Sequence, residues 1–218
     1  MYNNSTNSKN YYSVLQGLTE NCVNFIFNSM HFDSKRNNLK DIKAVDLIVN
    51  GKKVDVQFSQ NFGNYGDIRI DVISAGYHND NGELNKNDFL SRLEFIHKIR
   101  ISKVGKYFLD GYADYVAYLI YNGKIICTSE GKLPKPDGLL LLSVNEVVDY
   151  INRNIDRFVG KVKINDKKNN GRSEAHLSAF LPLSLEEIRS NFNDFSYNEF
   201  ENNMIYYVDG IRIDMLLK

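Results

Sequence analysis

Between Tyr12 and Met30 the residues Val14, Leu15, Leu18, Cys22, Phe25, Ile26 and Met30 recur at three- and four-residue spacing. That is the stripe of an amphipathic helix, and Glu20 lies within it. A charged, Asn-rich stretch over 33–41 reads as a loop, and after it the period changes to two. Residues 44–49 and 52–59 form two apolar-rich runs separated by Asn50-Gly51, the pair best suited to the positive φ angles of a type I′ hairpin turn. A further alternating run over 67–73 puts Ile68, Ile70 and Val72 on one face and Asp67, Arg69 and Asp71 on the other. Residues 76–88 read as a polar loop, and Asp88 to His97 as a short helix with Phe89, Leu93 and Ile96 on one side. Tyr112 to Tyr121 and Lys124 to Thr128 flank Asn122-Gly123, a second hairpin signal. Ser143-Val-Asn-Glu146 and Ser184-Leu-Glu-Glu187 are capping boxes opening helices, the first running to about Arg157. Lys161 to Ile164 reads as a strand, Ala175 to Leu183 is an apolar run, and the tail forms a hairpin across Asp209-Gly210.

With a two-residue turn, Val49 faces Lys52, Ile48 faces Lys53, Leu47 faces Val54, and Asp46 sits opposite Asp55. Partners of this kind hold their Cβ atoms about 4.5–5.5 Å apart. Leu47, Val49, Val54, Val56 and Phe58 then share the core face, while Asp46, Asp55, Gln57 and Ser59 share the other. Two acids facing each other in a sheet repel. A hard divalent cation would remove that repulsion, because Mg²⁺ takes one or two carboxylates together with water and substrate phosphate. The plainer reading, a surface ribbon with a polar outer face, stands beside it.

Composition narrows the classes. The 218 residues are 43% hydrophobic and 25% charged, as in a globular protein with a proper core. The 27 basic and 27 acidic residues cancel, so any nucleic-acid surface must be a local patch. Cys22 and Cys127 offer neither a disulfide framework nor a zinc site, and a reducing, cytoplasmic setting is expected. The longest apolar run, over 138–144, is too short to span a bilayer, and the N-terminus lacks the pattern of a signal peptide. Fourteen tyrosines and 13 phenylalanines with no tryptophan show no spacing that suggests a single-strand stacking platform. His31, His78 and His97 have no metal spacing.

A helix acid at Glu20, a strand acid at Asp46, and Asp55-Val-Gln57 after eight intervening residues follow the order found in the PD-(D/E)xK nuclease superfamily, which this chain resembles. Asn64-Tyr-Gly-Asp-Ile-Arg-Ile-Asp71 looks like the strand that follows the active site in phage-type and small host members. Ala113-Asp-Tyr-Val-Ala-Tyr-Leu-Ile120 looks like a later strand of the family, and Ala179-Phe-Leu-Pro-Leu-Ser184 like a region near the end of its fold. The resemblance spans about residues 12–190. It departs from the pattern at Gln57, where the family usually carries lysine; some type II restriction endonucleases have an acidic-x-Gln there and are active.

The resemblance implies an α/β (α+β) restriction-endonuclease-like fold, with a mixed central β-sheet flanked by helices. Its domain would cover 11–190, between a flexible N-terminus at 1–10 and a C-terminal appendage with a hairpin at 191–218. It implies a Mg²⁺-dependent endonuclease cutting DNA, in a restriction or phage context, with Mn²⁺ as an alternative cofactor and RNA still open as substrate. Asp46 and Asp55 would hold the metal, with the Val56 carbonyl adding a ligand. Gln57 would position the attacking water, and Glu20 would orient a water or a second cation; an ordinary surface Glu is an equally good reading of that residue. Lys53, Arg69, Arg172 and His176 are candidate nucleic-acid contacts, each with solvated surface as its plain alternative, which is the commoner one for Lys53. No membrane association is expected, and a homodimer is open because nucleases that cut both strands often dimerise. Two other readings remain: a non-catalytic relative that binds nucleic acid or a protein partner, and a structural domain with no metal.

Overall fold

The computed structural model describes residues 4–37, 45–59, 62–78, 88–122, 135–167, 176–200, 207–208 and 211–212. In chain order the elements are α1 (Asn4–Ser29), β1 (Ser34–Arg36), β2 (Leu47–Val49), β3 (Lys52–Ser59), α2 (Phe62–Tyr65), β4 (Asp67–His78), α3 (Phe89–His97), β5 (Ile99–Val104), a 3-10 turn (Lys106–Phe108), β6 (Tyr115–Ile120) and β7 (Gly138–Ser143). Then follow α4 (Val144–Arg153), α5 (Ile155–Val159), β8 (Lys163–Lys167), β9 (His176–Ser184), α6 (Leu185–Asn191), β10 (Phe195–Glu199), β11 (Tyr207–Val208) and β12 (Ile211–Arg212). The mixed α/β class expected from the pattern is the one the chain adopts. Its strands form a six-stranded mixed sheet, a four-stranded antiparallel sheet and the small β11–β12 pair. The chain divides into two compact units, one of Met1–Gly66, Ala113–Ser143 and Phe195–Lys218, the other of Asp67–Tyr112 and Val144–Asp194. Residues 11–190, the extent that the resemblance implies for one domain, are shared between both units, and the 191–218 segment supplies β10 to the first.

In the first unit the strand order is β1-β2-β3-β6-β7-β10, with β3 and β6 parallel and the other pairs antiparallel. The helix starts earlier than its stripe predicts, taking in residues 4–10 that were expected to fray. It packs Leu15, Cys22, Val23, Ile26 and Phe27 onto Leu47, Val49, Val54 and Val56, the core face predicted for the hairpin. Val14 and Met30, counted in the stripe, stand exposed. β6 and β7 are buried along nearly their whole length, as interior strands covered on both faces are.

The hairpin register is the predicted one, Leu47↔Val54, Ile48↔Lys53 and Val49↔Lys52. Asn50 and Gly51 adopt φ 48° and 79°, as a type I′ turn requires. The turn is pinned from outside: Asn50 N–H donates to the Asp33 carbonyl, and Asn50 Oδ1 accepts from Asp33 N–H, both at 2.8 Å. The 33–41 loop is corrected by β1, whose residues pair with β2. It is a short polar strand with no apolar period, held instead by Asn24 and Asn28 of α1, which bond Ser34.

In the second unit the order is β5-β4-β9-β8, all antiparallel, with bulges along β4. Ile68, Ile70 and Val72 are fully buried as predicted. Asp88 caps α3 by accepting Ser91 N–H at 2.8 Å, and Ser184 caps α6 by accepting Glu187 N–H at 3.1 Å. The helix expected to run from 144 to about Arg157 breaks at Asn154, which leaves helical dihedrals (φ −125°, ψ 37°) while its amide donates back to the Tyr150 carbonyl. Glu187 is buried but well partnered: Arg157 at 2.7 Å, Lys161 at 3.5 Å and the Tyr150 hydroxyl at 3.2 Å. The second strand of the Asn122-Gly123 hairpin lies outside the described residues. Among the described residues no helix is long and apolar enough to cross a membrane.

Burial in the α1 core pushes the Cys22 thiol up from 9.0 to about 12. In the unfolded chain the thiol ionises near its ordinary value, so the stability it contributes is fully present below pH 9.0 and is lost as pH rises from there through about 12. In a Cys127→Ser background, Cys22 is expected to resist a thiol reagent at about pH 8 until denaturant is added, since the thiolate is the reactive form. Full labelling of the folded protein would overturn this.

Candidate active site

β2 begins only at Leu47, the first residue paired with β3. In an antiparallel ladder alternate residues aim both N–H and C=O at the same neighbour, so the Val56 groups that would face a longer β2 need other partners. Side chains take those places. Asp46 Oδ2 accepts the Val56 N–H at 2.7 Å. The Val56 carbonyl accepts from Gln57 Nε2 at 2.8 Å and from Gln16 Nε2, on α1, at 3.0 Å. Gln57 Nε2 also donates to Asp55 Oδ2 at 2.9 Å. Asp46, Asp55 and Gln57 are thus brought together around Val56.

The predicted Asp46–Asp55 ladder pair is not formed, because Asp46 precedes β2 and turns its carboxylate to a backbone donor. A carboxylate on an N–H makes a charge-assisted bond, worth about 1.5–3 kcal/mol. The local dipole therefore offsets part of the repulsion that the sequence assigned to a cation. Asp55 lies on the sheet face away from the hairpin core and is fully buried, beside Val116 of β6. Its neighbours on that face, Val116, Tyr118, Ile120, Leu140 and Leu142, are buried too.

The other predicted residues are placed as follows. Glu20 is ion-paired with Arg36 of β1; it belongs to the helix face that meets β1 and is not among the groups bonded to Val56. Lys53 is exposed on the strand face of Asp55, and its backbone is clamped to the start of β6, with N–H donating to Asp114 Oδ2 at 2.7 Å and the carbonyl accepting Asp114 N–H at 2.9 Å. Arg69 belongs to the second unit, its guanidinium 4.7 Å above the Phe180 ring. Nearby on β4, burial pushes the Asp67 carboxyl up against the opposing pull of Arg69, and Asp71 accepts from the Ser74 hydroxyl at 2.8 Å. Arg172 lies outside the described residues, as does the His176 side chain; the His176 backbone opens β9 opposite Lys167.

Two further residues belong here that no sequence motif marks by its chemistry. Gln16 sits one turn before Glu20, on the same helix face, and as a neutral amide carries no signal of the kind an acid does. Asp114, within the Ala-Asp-Tyr motif, fastens β3 to β6.

Among the described residues no group of three or more His, Cys, Asp or Glu side chains is arranged to hold a metal ion. The carboxylates near Val56 number two, Asp46 and Asp55, and Mg²⁺ can take one or two carboxylates when water and a phosphate supply the rest. The Val56 carbonyl, expected as a third ligand, is engaged by two amides. In the same unit a separate cavity of about 260 Å³, lined by Phe27, Phe32, Val49, Leu139 and Leu141 among others, is predominantly apolar and carries none of these groups. Comparison of the chain with protein-family models, with curated proteins and with solved structures finds no match.

Proposed function

We propose that the chain is a Mg²⁺-dependent endonuclease of PD-(D/E)xK type that hydrolyses phosphodiester bonds in DNA, with Mn²⁺ as an alternative cofactor. One observation carries the reading: two carboxylates and an amide gather around Val56, each oriented by a hydrogen bond. They sit at the end of a hairpin packed against an amphipathic helix, in the element order that the resemblance implies.

Asp46 and Asp55 hold the cation in this reading. When bound, it polarises the scissile phosphate and lowers the pKa of a water. Asp46 is kept in place by the Val56 N–H and Asp55 by Gln57, so neither carboxylate reorients without giving up a bond. That is preorganisation of the kind a site needs to act without rearranging. The Gln57 nitrogen is engaged by Asp55 and Val56, so its amide oxygen is the group that accepts from the attacking water. Glu20 adds negative potential from α1, tempered by Arg36. Lys53, exposed on the strand face of Asp55, meets substrate phosphate. A homodimer would bring two such sites to the two strands of a duplex.

The test is incubation of the purified full chain with double-stranded, single-stranded and branched DNA and with RNA, in Mg²⁺ and in Mn²⁺. DNA cleavage that disappears with chelator and in Asp46→Asn is the expected result. A second reading, a non-catalytic nuclease-like binder of nucleic acid or protein, is favoured by the uncharged Gln57 and the doubly bonded Val56 carbonyl. Binding of DNA with no cleavage in Mg²⁺, Mn²⁺ or Co²⁺ would select it.

A further inference from the structure

A carbonyl oxygen has two lone pairs, and at Val56 both are engaged, by Gln57 at 2.8 Å and by Gln16 at 3.0 Å. Gln57 is in turn fixed on Asp55 at 2.9 Å, while Asp46 takes the Val56 N–H at 2.7 Å. The hydrogen bonds run from Asp46 through Val56 and Gln57 to Asp55, and Gln16 joins them from the helix. We infer that Gln16 is the positioning residue that α1 contributes to this site, and that its amide withholds the Val56 carbonyl from a divalent cation. The inference rests on the proposed metal-binding role of Asp46 and Asp55 and sharpens it.

Gln16 and a cation compete for one lone pair of the Val56 oxygen. An amide N–H₂ donates to the Val56 oxygen but brings no net charge. A hard cation beside two carboxylates seeks further oxygen ligands, and the oxygen already positioned by β3 is that carbonyl. While Gln16 holds it, the cation is left with the carboxylates and water. Removing the Gln16 amide frees a neutral ligand. Replacing it with a carboxylate of the same length removes the donor and adds an anion at the same place. Neither change disturbs the helix greatly, since Ala and Glu are both good helix formers and the apolar contacts of Leu15 and Val23 remain.

The test is calorimetric titration of Mn²⁺ into the full-length protein as wild type, Gln16→Ala and Gln16→Glu, with circular dichroism and thermal melts to confirm folding. Gln16→Ala is expected to bind Mn²⁺ about tenfold more tightly, opposite in sign to the loss of about 10–100-fold that removing an orienting group from a metal site ordinarily brings. Gln16→Glu is expected to gain at least as much. A merely structural role for Gln16 would leave Gln16→Ala binding unchanged or weaker, so tightening in that variant is diagnostic. Tighter binding in folded Gln16→Ala supports the inference, even if wild-type binding is too weak to detect. Binding that tightens in Gln16→Glu alone, or wild-type binding that Gln16→Ala matches or falls below, overturns it and leaves the two-carboxylate reading standing. No binding by wild type or either variant overturns the inference and the metal reading together.

Discussion

Asp55→Asn is expected to leave the protein folded and to lower Mg²⁺-dependent DNA cleavage by on the order of 10³-fold or more, the scale seen when a member of a catalytic constellation is removed. The substitution keeps shape and volume at a fully buried position, so packing against Val116 is preserved while the anionic oxygen proposed to hold the cation is lost. Asp55→Ala is expected to lose activity equally and stability as well. It leaves the Gln57 amide with the Val56 carbonyl as its remaining partner and opens a gap at a fully buried position, which costs packing energy. The two variants together separate chemistry from folding. Cleavage rates and urea unfolding of both, beside wild type, are the measurement. Asp55→Asn that cleaves at the wild-type rate removes Asp55 from the site.

The second large effect is expected in the other unit, at Gly105. Its φ of −61° is open to any residue, so the demand for glycine comes from contact alone. A Cβ built there falls 1.9 Å from the Asp71 carbonyl oxygen and 2.5 Å from its carbon. Those are backbone atoms of β4, which have no rotamer to escape into. Gly105→Ala must push the chain away from β4, breaking the 2.7 Å bond from Gly105 N–H to the Val72 carbonyl and straining the Ile73↔Val104 pairing beside it. The expected loss is about 3 kcal/mol, at the upper end for overpacking. For a chain of this size that corresponds to a fall in Tm of about 6–12 °C. A thermal melt within about 2 °C of wild type would show that the approach relaxes without cost.

What the sequence revealed was mostly local. Asn50-Gly51 and the alternation around it determined the hairpin register, and the predicted faces of β3 and β4 are the observed ones. Those signals need only a turn and its immediate neighbours. The parallel β3–β6 pairing joins residues about sixty apart and leaves no local trace. Nor does the division into two units, because each draws on segments that are distant along the chain. β1 was invisible for a different reason: its three residues, Ser34, Lys35 and Arg36, are polar, and side chains of α1 hold the strand in place.

That miss bore directly on the candidate site. β1 carries Arg36 to the helix, and Arg36 claims Glu20, the acid that the order of motifs had assigned to catalysis. Asp46, Asp55 and Gln57 were legible because period and turn set their faces. Their actual arrangement around Val56 was not, since it follows from β2 beginning only after Asp46. Gln16 enters because that late start leaves the Val56 carbonyl without a strand partner on that side.

The most direct test of the account is the conversion of supercoiled plasmid by the purified protein in Mg²⁺, beside chelator and the Asp46→Asn variant. The account predicts nicked or linear products that vanish with chelator and with the loss of the Asp46 charge. Plasmid left supercoiled in Mg²⁺ and in Mn²⁺, or cut equally well by Asp46→Asn, would contradict it.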